Sequence, residues 1–98
     1  MLSLSKMREG GVYLLPDGER LIAVADHRGG FLLYAPKVWQ HFHGWGPAEY
    51  DVVPEGRIVD CDADASTPWS VRDLVDTGET RRPLPAPEPR GRDQFYYG

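Results

Sequence analysis

The sequence predicts an all-β fold: a small, partly open barrel or rolled antiparallel sheet of about five strands, with one short helix and an extended C-terminal tail. Three observations carry that reading. Short runs rich in Val, Ile, Leu, Tyr and Phe cover residues 11–15, 20–26, 31–35, 49–53 and 57–61, each too brief for a helix. Turn chemistry separates them at close intervals, so neighbouring runs pair antiparallel. From Arg81 onward, Pro83, Pro85, Pro87 and Pro89 alternate with other residues, which suits an extended spacer and no packed element.

The first three runs form a meander. Pro16-Asp17-Gly18 joins the first two, with proline presetting φ at the first central position of a turn and glycine accepting the left-handed residue that follows. Arg28-Gly29-Gly30 turns the chain again, and Pro36, which lacks an N–H, ends the third run. Val52-Val53-Pro54-Glu55-Gly56 repeats the pattern of Leu14-Leu15-Pro16-Asp17-Gly18, two aliphatics, proline, an acid and glycine, and predicts a second hairpin. The match spans five residues, far below the period of a repeat architecture, so it is reused turn chemistry. Residues 68–75 predict the short helix. Thr67 with Pro68 at the first helical position is one start, a Ser70–Asp73 capping box is another, and Trp69 serves as a plug over the open end of the sheet.

The organisation is one domain over residues 1–80 and a proline-rich linker with an aromatic end over residues 81–98. A chain of 98 residues, 41% hydrophobic, is a folded module with a small core, since a domain this size buries only about 60% of its unfolded surface. The first ten residues lack the apolar core of a signal peptide, and no run reaches the roughly 18 apolar residues of a membrane span. A single cysteine, Cys61, excludes an internal disulfide and a cysteine-based zinc cage. A soluble cytoplasmic protein without membrane partners is the expectation.

Net charge is −4 and uneven: seven basic and thirteen acidic side chains precede Arg81, whereas four basic and two acidic side chains follow from it. An acidic body lacks the positive field that supplies most nucleic-acid affinity, so nucleic acid is excluded as a partner. The prolines of the tail stand two apart, whereas readers of polyproline II helices want them three apart, which favours a stiff spacer over an SH3-type ligand. Phe95, Tyr96 and Tyr97 at its far end are three adjacent rings, and rings in a polar segment dock on the chain's own body, on a second copy or on a partner.

Most chemistry-bearing residue types gather between Trp39 and Tyr50. Trp39, Phe42, Trp45 and Tyr50 surround His41 and His43 in a stretch broken by Gly44, Gly46 and Pro47, so the rings are expected on or beside a loop. Trp and Tyr bring large contact area at low entropic cost and dominate interface energetics. A core this small also needs bulk, so Trp39 and Trp69 are expected to be structural, and Trp45 between two glycines is the ring best placed to present a face.

His41 and His43 have a spacing that can hold a metal, but two ligands are not a site, and they are read as surface hydrogen-bonding groups. Asp60-Cys61-Asp62-Ala63-Asp64 has the alternating acids of a calcium loop, yet Ala65 stands where that loop needs glycine and Val71 where it needs a closing glutamate. A solvated acidic edge is the expected role there, with Cys61 a partly buried filler whose thiolate the carboxylates disfavour. Ser66 and Ser70 lack a nucleophile elbow, and neither Gly10-Gly11 nor Gly29-Gly30 has a phosphate-binding pattern. No cofactor, metal or catalytic activity is expected.

A small meander with aromatic loops resembles SH3-like barrels in architecture alone. The residues point to a small intracellular interaction protein. Its contact residues are Trp39, His41, Phe42, His43, Trp45 and Tyr50, its partner is a protein or peptide, and Phe95, Tyr96 and Tyr97 anchor the tail to that partner or to a second copy. The alternative is an acidic inhibitor or immunity-type protein that binds a basic partner surface through Asp60, Asp62, Asp64, Asp73, Asp76 and Glu79.

Overall fold

A computed structural model describes residues 1–42 and 47–81, with the backbone alone for Gln40, His41 and Phe42. The chain forms seven strands, β1 Gly11–Leu14, β2 Arg20–Ala25, β3 Phe31–Tyr34, β4 Tyr50–Val52, β5 Arg57–Asp60, β6 Ala65–Ser70 and β7 Val75–Thr80, with one helix, α1 Pro36–Phe42, between β3 and β4. They make a single antiparallel sheet in the order β6-β5-β4-β3-β2-β1-β7. No helix among the described residues is long and apolar enough to cross a membrane.

The five runs legible in the sequence are β1 to β5, and the turns between them have the expected chemistry. Gly18 takes φ +89° and donates its N–H to the Leu15 carbonyl at 2.8 Å, while Asp17 accepts the N–H of Glu19 at 2.9 Å. Gly56 takes φ +97° and closes the second hairpin onto the Val53 carbonyl at 2.7 Å. Gly30 is required by close approach, since a Cβ there would lie 2.0 Å from the Val52 carbonyl oxygen.

Three expectations are corrected. The sheet has seven strands, not about five. The helix predicted over residues 68–75 is instead the end of β6, a 3₁₀ turn at Val71–Asp73 and the start of β7. Pro68 sits in edge strand β6, where a missing N–H costs no ladder bond. The Ser70–Asp73 pairing does form: the Asp73 carboxylate accepts the Ser70 N–H at 2.8 Å and steadies the turn. Third, the stretch opening the aromatic segment is helical. Pro36 begins α1, where its missing N–H is no loss, and the Trp39 N–H reaches the Ala35 carbonyl at 2.9 Å.

The curl of the sheet follows from one connection. β6 and β7 lie at opposite edges, yet only residues 71–74 join them, a span of about 18 Å at full extension. A flat seven-stranded sheet would set its edges about 29 Å apart at ~4.8 Å per strand, so the sheet is not flat and its edge strands lie within the reach of residues 71–74 where these join them.

Coiling creates an inner and an outer apolar face. Met7, Tyr13, Leu15, Leu21, Ala23, Leu33, Val52, Ile58 and Leu74 fill the inner one, with Leu2, Leu4, Tyr50 and Trp69 packed against them. On the outer face Val12, Ile22, Tyr34 and Trp39 form a second cluster, which α1 covers with Trp39 and Val38. Leu21, Ile22 and Ala23 are each fully buried. A central strand covered on both sides reads as a continuous apolar run, as residues 21–25 do.

Candidate functional site

In an antiparallel meander, alternate connections emerge at the same end of the sheet. The β1–β2 turn, the β3–β4 segment carrying α1 and the β5–β6 turn therefore share one end. That end holds Asp17, Glu19, Glu49, Asp60, Asp62 and Asp64, with Arg20 beside the β1–β2 turn. The opposite end holds the β2–β3 and β4–β5 turns and the chain entry into β1.

Ion pairs are unevenly placed, and Arg20, beside the β1–β2 turn, pairs with Glu79 on β7 and not with its neighbouring carboxylates. Away from the shared end, Arg28 bridges Asp26 and Asp51 at 2.6 and 3.0 Å, and Arg57 meets Glu55 at 2.9 Å. Arg8 meets Asp76 at 2.7 Å, and Glu79 takes both Arg20 and Arg81. At the shared end, none of Asp17, Glu19, Glu49, Asp60, Asp62 and Asp64 has an ion pair among the described residues.

Burial and crowding act together there. Partial burial pushes the Glu19 carboxyl above the ordinary carboxylate range, and the charges of Glu49, Asp17 and Asp60 push it further. The Tyr50 hydroxyl, half-buried on the inner cluster, stands 3.5 Å from Glu19 Oε1, at the long limit of a hydrogen bond. Desolvation and the surrounding carboxylates push Tyr50 up to about 12, so the phenol stays a donor. Asp60 uses one oxygen to accept the N–H groups of Asp62 and Ala63 at 2.9 and 3.2 Å, and Asp64 takes φ +51° to complete the turn. Cys61 is exposed, not the partly buried filler expected; residual desolvation and then Asp51 and Asp60 raise its thiol.

The expected site residues separate into three groups. Trp39 is 5% exposed and belongs to the outer core, the structural one of its two expected roles. Tyr50 lies at the acidic end. His41 and Phe42 belong to α1 through their backbone, and their side chains, like His43, Trp45, Phe95, Tyr96 and Tyr97, lie outside the described residues. No three His, Cys, Asp or Glu side chains among the described residues are arranged to hold a metal.

The acidic set read from sequence also divides. Asp60, Asp62 and Asp64 remain together in the β5–β6 turn, whereas Asp73 caps a 3₁₀ turn, and Asp76 and Glu79, on β7, are held by Arg8, Arg20 and Arg81. Asp17, Glu19 and Glu49 take their place, and the alternation of connections in the meander is the signal that finds them. Comparison with protein-family models, curated proteins and solved structures finds no match to this chain.

Proposed function

We propose that this chain is a non-enzymatic, cytoplasmic binding module whose partner is met by the acidic end of the sheet and by the aromatic segment that includes Trp45. The partner is a protein or peptide that presents cationic side chains, with no nucleic acid or membrane involved. We read the coiled sheet as a partly open barrel of SH3-like architecture, a reading supported by the short connection between its two edges. In such a form, loops at one end are the natural contact surface.

One observation carries the reading: six carboxylates with no ion pair among the described residues share one end of the sheet with Tyr50, while the ion pairs among the described residues all use other carboxylates. Like charges held together cost the free protein stability, and a cationic partner relieves that cost on binding. The tail from Arg81 supplies the second contact, through Phe95, Tyr96 and Tyr97, to the partner or to a second copy.

Partner affinity measured against ionic strength tests both parts. Affinity is expected to fall with salt, to weaken in a Glu19→Gln, Glu49→Gln double variant, and to weaken in Trp45→Ala. Loss in Trp45→Ala with no salt dependence would remove the carboxylates from the account; the reverse would favour a purely acidic inhibitor surface. Comparing the full chain with one ending at Thr80 isolates the tail.

A further inference from the structure

We propose that β7 is a releasable strap, latched by Arg8, that opens independently of the other six strands. Its side chains contribute almost nothing to either core: Val75, Asp76, Thr77, Gly78 and Thr80 are exposed and only Glu79 is intermediate. Burial stops one residue earlier, at Leu74, which is 4% exposed. The ladder that joins β7 to β1 is interrupted between Gly11 and Tyr13.

What holds the strand is polar. Arg8 grips it at four points, with two bonds to the Asp76 carboxylate at 2.7 and 3.2 Å, one to Thr80 Oγ1 at 2.8 Å and one to the Glu79 carbonyl at 3.0 Å. The Thr77 hydroxyl donates to the Val12 carbonyl at 2.8 Å, and Arg20 reaches Glu79 from β2. These ties are at or near the surface, where ion pairs are weakened by water and salt. By contrast β2 and β3 hold Leu21, Ile22, Ala23 and Leu33 fully buried. Elements with few buried apolar contacts open sub-globally, below the free energy of complete unfolding.

Release has a specific structural result. The present edges of the sheet are blunted: β6 carries Pro68, and on β7 the N–H groups of Gly78 and Glu79 are taken by Asp76 and Thr77. The β1 edge beneath β7 carries neither device. Opening the strap bares that edge.

Hydrogen exchange on the full chain tests this with two neighbouring probes. The Arg81 N–H bonds the Gly10 carbonyl at 2.7 Å, and the Gly10 N–H bonds the Ala23 carbonyl at 2.7 Å, so one reports β7 and the other β2. In the native protein, Arg81 and the β7 ladder amides are expected to exchange faster than Gly10, Ile22 and Leu33, with a weaker dependence on denaturant. Arg8→Met is expected to speed the β7 set about tenfold while leaving the β2–β3 set unchanged, and Thr77→Val to act the same way more weakly. Equal denaturant dependence of the two sets in the native protein overturns the proposal. So does equal acceleration of both sets in either variant.

Discussion

Replacing Trp39 by alanine separates the structural ring of the aromatic segment from the proposed contact ring. Trp39 is 5% exposed and packs with Val12, Ile22 and Tyr34 beneath α1. A side chain of this kind buries about 150–250 Å², which at ~25 cal/mol/Å² is about 4–6 kcal/mol; correcting for a compact denatured state brings this to about 3–5 kcal/mol. Measured truncations of buried aromatics fall in the same range, about 3–5 kcal/mol. A domain of this size has a total stability of about 4–12 kcal/mol, so Trp39→Ala removes a large part of it. Urea denaturation followed by circular dichroism is expected to show a lower midpoint with an unchanged slope, and Trp45→Ala is expected to change the unfolding free energy by no more than about 0.5 kcal/mol. A loss below about 1 kcal/mol for Trp39→Ala would refute the packing of α1 on the outer face.

Further outcomes follow from the same geometry. Glu19 binds its proton more tightly in the folded than in the unfolded chain, so its ionisation lowers stability as pH rises from the ordinary glutamate range through the raised folded value. Glu19→Gln is therefore expected to raise Tm at pH 7, and the gain should shrink as pH falls through the carboxylate range; a gain independent of pH contradicts the crowding. Gly30→Ala places a methyl group 2.0 Å from the Val52 carbonyl oxygen and must move backbone, so thermal unfolding should show a loss of several kcal/mol, about 2–4. Gly18→Ala in the β1–β2 turn meets nothing within 4 Å but still needs φ +89°, and should lose about 1 kcal/mol by the same assay.

Much of the framework was legible because its signals were local. Pro16-Asp17-Gly18 and Pro54-Glu55-Gly56 place two hairpins through turn chemistry alone, and Leu21, Ile22 and Ala23 read as strand because both of their faces are covered. β7 left no such trace: Asp76-Thr77-Gly78-Glu79 has no apolar alternation, and its place is set by Arg8, 68 residues earlier in the chain than Asp76. β6 was hidden by Thr67-Pro68, which also opens helices; only its position at a sheet edge makes proline acceptable there. In the aromatic segment, Gly44, Gly46 and Pro47 point to a loop, although in sequence they follow a helix that Pro36 begins. The acidic end was only half visible, because Asp17 and Asp60 are far apart in sequence and meet through the parity of strand connections.

The central claim is that partners meet the end of the sheet shared by Glu19, Glu49 and Asp60. A photoreactive residue at Asp62 and, separately, at Glu55 on the opposite end tests it, since both positions are exposed and sit in turns. Cross-linking of the full chain in its own cells should capture a common partner through position 62, in a manner suppressed by salt, and little through position 55. The same partner captured equally from position 55, or from position 55 alone, would contradict the account.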